Sequence, residues 1–279
     1  MAIEVLRPGP LCTVQDLGRP GYAHLGVPCS GAADAAGLRL ANRLVGNPED
    51  AAGLELTFGG AALRFDAPAW IAVTGAPVRV SPGAMNAPCH VPAGTTVEFG
   101  TPSAGVRTYV AVRGGVDVPP VLGSRSTDLL SGLGPDPLTA GDRLAVGRAS
   151  EPITVDYAPG YEPEDEPVLR ILPGPRDDWF ESLEPLTRGG YEVSSHSNRV
   201  GVRLEGRPLV RRREGELPSE GMVTGALQVP PNGLPIIFLA DHPTTGGYPV
   251  AAVVTSADLG RAAQLRPGQR VRFRLIAPS

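Results

Sequence analysis

The chain contains no lysine; all 25 of its basic residues are arginine. A phosphate-binding P-loop requires its lysine ammonium, so Walker-type ATP binding within this chain is excluded. Schiff-base catalysis is left with only the N-terminal amine. Covalent biotin, which is carried on a lysine side chain, has no attachment point. Cysteine is scarce as well. Cys12, Cys29 and Cys89 make an odd number without a CxxC pair, which favours a reducing, cytoplasmic setting over a disulfide scaffold. No apolar run is long enough to span a bilayer, and the opening MAIEVLRPGP lacks a signal-peptide core, so no membrane partner is expected. A net charge of −4 excludes a general nucleic-acid footprint. GxGxxG and GxSxG are absent, which disfavours dinucleotide enzymes and ordinary serine hydrolases. His24, His90, His196 and His242 show no HExxH spacing, and no bound metal is expected.

What is abundant is glycine, with 36 residues, and proline, with 31. Dispersed among short apolar segments, they predict a mainly β protein with many turns. Strands are expected at Ile3–Leu6, Leu54–Phe58, Ala62–Phe65, Trp70–Thr74, Val78–Ser81, Thr95–Phe99, Arg107–Arg113 and Arg143–Val146. The stretch from Cys12 to Asp34 reads as a long polar loop. Leu38, Ala41, Leu44 and Val45 recur at helical spacing, so Ala35–Val45 is the strongest helix, with Asp34 or Ser30 as its cap. A short helix is expected near Ser126–Leu130.

Residues 149–167 turn acidic and proline-rich and read as a solvated connector. It separates an N-terminal half, 1–148, from a C-terminal half, 168–279. In the second half, strands are expected at Val168–Leu172, Tyr191–Ser194, Val200–Leu204, Ala226–Val229, Pro235–Ala240 and Arg270–Ile276. Short helices are expected over Arg176–Leu183 and Ser256–Leu265, with Ser256 as a cap. The halves share turns in the same order: LRPGP and LPGP, TGAPV and TGGYPV, PAGTTVEF and PGQRVRF. This suggests a duplicated module. Two β-barrel-like halves with a few short helices would place a pocket between them.

The densest set of polar loop residues lies between Ser194 and Tyr248. Asn198, Arg203, Gln228, Thr244, Thr245, Gly246, Gly247 and Tyr248 are candidates for binding a small polar substrate bearing a carboxylate or amide. Arg199, Asp241 and Glu220 are candidates for the chemistry. Asp241 serves either as a base or as the partner that holds an arginine in place. Arg199 and Arg203, four apart, are expected on one side of a strand. Gly246 and Gly247 permit close backbone approach with N–H groups free for an anion. Ser30, Asp34 and Arg125 from the first half are expected to join them.

Longer motifs carry a resemblance. VQDLGRPGYAHLGVPCSGAAD, LANRLVGNPEDAAGLELTFGG, RTYVAVRGGVDVPPVLGSRST, SNRVGVRLEG, SEGMVTGALQVPPNGLPIIFLADHPTTGGYP and QLRPGQRVRF resemble the allophanate-hydrolase-subunit-2-like, or biotin-dependent carboxyltransferase-like, family. Its members include the C-type component of bacterial 5-oxoprolinase and part of the carboxyltransferase region of urea carboxylase. The resemblance runs nearly from end to end and implies cyclophilin-like β-barrel halves. It also implies a subunit-1-like (B-type) companion and, for oxoprolinase, an A-type subunit. The activity implied is ATP-dependent opening of 5-oxo-L-proline to L-glutamate, with ATP held in the complex. The alternatives are a carboxyltransferase subunit receiving carboxyl-biotin from a partner, or a non-catalytic regulator of a kinase-inhibitor partner. The absence of a fused biotin carboxylase or carrier segment favours oxoprolinase. The chain departs from the family pattern at SGLGPDPLTAGD, residues 131–142, and at His242-Pro243, which bears on the substrate.

Overall fold

The computed structural model describes residues 1–149, 151–160, 162–213, 215 and 217–277. The chain forms two compact units. The first comprises Met1–Arg19, Ser30–Asp128 and Gly132–Pro163; the second comprises Pro20–Cys29, Leu129–Ser131 and Glu164–Ser279.

The first unit contains β1 (Ala2–Arg7), β2 (Leu11–Gln15), α1 (Ala35–Leu44), β3 (Gly53–Thr57), β4 (Ala62–Phe65), β5 (Ala69–Gly75) and β6 (Val80–Ser81). These are followed by β7 (Pro88–Val91), β8 (Thr96–Phe99), β9 (Arg107–Val112), β10 (Val116–Asp117) and β11 (Arg143–Val146). They pair as a six-stranded sheet, β10-β11-β1-β4-β8-β6, and a five-stranded sheet, β2-β3-β9-β5-β7. One apolar core draws on both sheets: Ile3, Val5, Leu63, Phe65 and Val97 from the first, Val14, Leu54, Leu56, Val73 and Val110 from the second. Each fully buried aliphatic side chain contributes about 1.5–3 kcal/mol relative to exposure.

α1 packs on the five-stranded sheet through Leu38, Ala41 and Leu44 against Ala72, Tyr109 and Ala111. β9 is therefore covered on both faces, and all six of its residues are buried. The same double cover explains β2, which stands where the sequence reads as a polar loop. Cys12, Thr13, Val14 and Gln15 are all buried, and the Gln15 amide donates to Thr13 Oγ1 and Thr127 O, each at 3.0 Å. No helix forms at Ser126–Leu130. Ser126 is held instead by Asp16, whose Oδ1 accepts its hydroxyl at 2.5 Å, and the chain runs on irregularly into a turn at Leu129–Ser131.

The second unit contains β12 (Val168–Pro173), α2 (Glu184–Thr187), β13 (Tyr191–Val193), β14 (Gly201–Glu205), β15 (Glu220–Gly221) and β16 (Ala226–Gln228). After these come β17 (Ile236–Phe238), β18 (Thr245–Gly246), β19 (Val250–Val254), α3 (Leu259–Ala263) and β20 (Arg270–Leu275). Seven strands close a barrel in the order β12-β19-β16-β17-β14-β13-β20, sealed by the parallel β12–β20 pair. Leu169, Ile171, Val202, Leu204, Leu227, Ile237, Val271 and Phe273 alternate along these strands and are buried, filling the interior as a small barrel requires. The helix expected at Arg176–Leu183 is a single 3-10 turn, Asp177–Trp179, followed by α2. Ser256 does not cap a helix; it opens a 3-10 turn that leads into α3. There Asp258 is the polar anchor, accepting from Arg170 N, Nε and Nη2 at 2.7, 2.9 and 2.8 Å.

The acidic connector is mostly exposed, and its C-terminal end is tied to the second unit by ion pairs. Glu164 pairs with Arg261 at 2.6 Å, and Glu166 with Arg270 at 3.1 Å. Residues 150 and 161 of that connector lie outside the described residues. The internal echo holds for turns and not for pairing. LRPGP and LPGP end β1 and β12, and the PAG and PGQ turns lead into β8 and β20. TGAPV, however, ends β5, whereas TGGYPV opens with β18 and runs into the start of β19.

Candidate functional site

The barrel carries a second apolar cluster on its outward face: Met222, Ala226, Phe238 and Val250, with Ile236 and Val253 against them. Strand register sets its layout. Arg203 and Gln228 both sit opposite Ile236, and Gly201 sits opposite Phe238. Partners across a ladder share a face, so β14, β16 and β17 present arginine, amide and apolar groups together. A cleft of about 360 Å³ opens here, lined by Asn198, Val200, Gly201, Arg203, Gln228, Pro230, Ile236, Phe238, Pro243 and Tyr248. Gly201 keeps it open. A Cβ there would stand 2.9 Å from Ile236 Cγ2 and 3.0 Å from Ile237 O.

Within the cleft the polar groups are differently committed. Asn198 Oδ1 accepts the Val200 N–H at 2.9 Å and the Gly201 N–H at 3.3 Å, fixing the turn into β14. Gln228 is 6% exposed. Its amide nitrogen donates to Tyr248 O at 3.4 Å and lies 3.8 Å from Met222 Sδ. Its carbonyl oxygen accepts no hydrogen bond from the described residues and is open to a donor from a ligand in the cleft. The Arg203 backbone is tied down by Ser197 Oγ, which accepts its N–H at 3.1 Å, and by Ser194, whose N–H donates to its carbonyl at 2.9 Å. Its guanidinium is exposed and has no carboxylate partner among the described residues.

Arg199 behaves differently from Arg203. It precedes β14 in a turn, so strand alternation does not apply to it. Its Nε and Nη2 meet Asp241 Oδ2 and Oδ1 at 2.8 and 3.0 Å. Their side chains are 1% and 0% exposed. Asp241 Oδ2 also accepts the Leu129 N–H at 3.2 Å, and the Asp241 N–H donates to Arg199 O at 3.1 Å. Asp241 thus holds an arginine in place, one of the two roles expected of it, and the buried pair forms an internal clamp joining three chain segments of this unit. His242 follows it, buried, with Nδ1 2.8 Å from Pro243 O and its ring stacked on Phe238 at 5.7 Å. The His242-Pro243 departure thus bears on the cleft, because Phe238 and Pro243 line it.

Glu220 is also engaged. Both its oxygens accept from Arg176, through Nε at 3.0 Å and through Nη2. That hydrogen bonding holds its carboxyl below the usual range, so it is a poor proton acceptor near neutrality. Glu220 and Gly221 pair with Gly246 and Thr245 to make a short ribbon, and Thr244 O accepts the Met222 N–H at 2.9 Å. A Cβ on Gly246 would meet Gln228 Nε2 at 2.5 Å. Gly246 is therefore needed for close approach to Gln228. Thr245 is exposed and Gly247 half-buried.

In the first unit the three candidates have structural partners. Asp34 Oδ1 caps α1 by accepting the Gly37 N–H at 3.1 Å. Ser30 Oγ donates to Thr127 O at 3.1 Å. Arg125 donates through Nε to Val118 O at 2.8 Å and pairs with Asp117 at 3.2 Å. Two buried carboxylates organise this unit. Asp16 accepts from Gly18 N, Ser124 Oγ, Arg125 N and Ser126 Oγ. Glu55 accepts from Tyr109 Oη at 2.8 Å and Ala33 N at 3.0 Å and lies 3.4 Å from Arg107. Burial, reinforced by the Glu55 charge, pushes the Cys12 thiol up to about 12 and raises the Tyr109 phenol well above its ordinary value.

Sequence reasoning misses Arg176, Val200, Pro230, Ile236 and Phe238. The apolar ones carry no chemical signature, and only strand register brings them to the cleft. Among the described residues no three His, Cys, Asp or Glu side chains gather as a metal site. No helix among them is long and apolar enough to cross a membrane.

Comparison with known proteins adds identity to this geometry. The chain is 39% identical over 280 residues to the C subunit of 5-oxoprolinase from Escherichia coli, covering 97% of this chain and 90% of that protein. It is 36% identical to urea amidolyase of Lachancea kluyveri, covering 98% of this chain and 17% of that protein. The crystal structure of the K. lactis urea amidolyase superposes with a TM-score of 0.90 at 33% identity, over 99% of this chain and 19% of that one. The family model for the carboxyltransferase domain, subdomain A and B, matches residues 25–275. The chain therefore belongs to the carboxyltransferase domain family, subdomain A and B, alongside the C-type components of 5-oxoprolinase.

Proposed function

We propose that this chain is the C-type component of an ATP-dependent 5-oxoprolinase, which hydrolyses 5-oxo-L-proline to L-glutamate. The observation that carries this reading is the end-to-end match to the E. coli protein, which leaves little of either chain uncovered. In the urea amidolyases the same match occupies a small part of a much longer protein.

The cleft chemistry supports it. A 5-oxoproline molecule has one carboxylate, one ring N–H and an apolar ring edge. Arg203 offers a guanidinium fork for the carboxylate. Gln228 offers its carbonyl oxygen to the ring N–H. Ile236, Phe238 and Pro230 form the apolar floor. Asn198 and Tyr248 line the cleft, while Thr244, Thr245, Gly246 and Gly247 form the ribbon that packs beside Gln228 and Met222. The Arg199–Asp241 clamp acts as a positioning pair, fixing the turn that precedes Arg203. Ser30, Asp34 and Arg125 hold the loops of their own unit.

Nucleoside triphosphate does not fit this cleft. One free guanidinium and an apolar floor do not match three phosphates and a divalent cation, and the chain has no lysine. ATP and the second half of the catalytic apparatus fall to B-type and A-type companions. The test is reconstitution with each of the three proteins omitted in turn, following glutamate and ADP formed from 5-oxoproline. Activity requiring all three supports the reading; turnover by this chain alone contradicts it. The second reading, carboxyl transfer from carboxyl-biotin, is favoured by the likeness to the K. lactis enzyme. It predicts biotin-carrier dependence in the same assay.

A further inference from the structure

A second cleft, of about 230 Å³, adjoins the first and shares Arg203, Pro230 and Ile236 with it. Its other wall includes Glu205 and Asn232. Arg203 and Glu205 are two apart on β14, and both are exposed while Val202 and Leu204 are buried. They therefore project from the same face of the strand. Neither makes a salt bridge or side-chain hydrogen bond with the described residues, although opposite charges this close in sequence commonly meet.

The strand register adds a second, independent observation. Glu205 sits directly opposite Glu192 on β13, and like charges in that position destabilise a sheet. On the far side of Glu192 is Arg270, which is engaged by Glu166 at 3.1 Å. The Glu205 carboxylate thus stands at a cleft wall with a like charge opposite it and makes no salt bridge with the described residues, Arg203 on the same face included.

We propose that the second cleft binds an α-amino acid as its zwitterion, with the carboxylate on Arg203 and the ammonium on Glu205. Naming that amino acid as L-glutamate rests on the function proposed above. Opening the lactam breaks the ring C–N bond, adds the oxygen of water to the carbonyl carbon, and leaves the nitrogen as an ammonium. Substrate and product share the carboxylate that Arg203 would hold; the product adds an ammonium beside it and a second carboxylate at the far end. Arg203, common to both clefts, is the pivot, and Glu205 distinguishes product from substrate.

The test is calorimetric titration of the full chain with L-glutamate and with glutarate, which lacks the ammonium. In the wild type, glutamate is expected to bind about two- to fivefold more tightly than glutarate, the range of a partly exposed ion pair. Glu205→Gln should abolish that preference while raising thermal stability slightly, because the like-charge pair is removed. Arg203→Ala should weaken both ligands alike. Equal affinities in the wild type, a preference that survives Glu205→Gln, or no glutamate binding would overturn the proposal. The preference without oxoprolinase turnover by the complex would remove the function proposed above and leave the site. Turnover without the preference would remove the site alone.

Discussion

Both units bury some arginines against carboxylates and leave another exposed at a cleft, Arg79 in the first and Arg203 in the second. In the first, Arg107 lies against Glu55, and Arg125 is engaged by Asp117 and Val118 O. In the second, Arg199 is clamped by Asp241, while Arg203, four residues on, stands at a cleft with no carboxylate partner among the described residues. Residue type therefore does not mark a site; what each side chain is committed to, and which groups share its cleft, narrows the choice. Arg199 looks the more catalytic in sequence, set among small polar residues, yet its burial makes it architecture. A buried pair is costly to break because it strands a charge, and it contributes little by itself to recognition.

That contrast can be broken by mutation. Arg199→Ala and Asp241→Ala are each expected to cost about 3–5 kcal/mol in chemical denaturation of the second unit, with the double variant costing less than their sum. Additive losses would mean that the pair does not act as one clamp. Glu55→Gln in the first unit should cost less, about 1.5–3 kcal/mol. It retains a hydrogen-bonding side chain but loses the charge facing Tyr109, Ala33 and Arg107. Equal losses at Glu55 and Asp241 would erase the distinction between a bidentate clamp and a looser network.

Partly exposed groups sharpen the comparison further. Glu220→Gln should cost little, less than the buried carboxylates above, as expected for an ion pair near solvent. The folded-state pKa of Glu220 is lowered by Arg176. Its contribution is therefore present above the ordinary glutamate pKa and is lost as pH falls through the depressed folded value. Asp258 follows the same sign: burial works to raise its pKa, but the Arg170 hydrogen bonds prevail and hold it at about 2. Acid titration of wild type and Asp258→Asn should converge as pH falls from about 4 toward 2. The smallest effect is chemical. With its pKa raised to about 12, Cys12 should remain unlabelled by thiol reagents at pH 8 in the folded protein, and labelling at Cys12 would contradict its burial.

Much of the fold is legible where one face of an element is wet. α1 shows its helical spacing because Leu38, Ala41 and Leu44 meet a sheet while Arg39 and Arg43 meet solvent. β14 and β20 alternate for the same reason. β2 reads as loop because both its faces are covered, which removes alternation and buries Thr13 and Gln15 among satisfied polar partners. β19, VAAVV, hides in the same way. At the site, Asn198, Arg203, Gln228 and Tyr248 are legible as polar loop and strand-end residues. The apolar floor and the division between Arg199 and Arg203 are not. That division depends on β14 beginning at Gly201, and strand boundaries are weakly encoded in local sequence.

The central claim is that Arg203, and not Arg199, meets the substrate carboxylate. The direct measurement is steady-state kinetics of the assembled three-protein complex carrying Arg203→Ala, with 5-oxoproline varied and assembly verified by size. The account predicts intact assembly, wild-type thermal stability and a fall in kcat/KM of about 10²-fold, from losing a charged hydrogen bond of about 2–3 kcal/mol. An unchanged kcat/KM in an intact complex would contradict it.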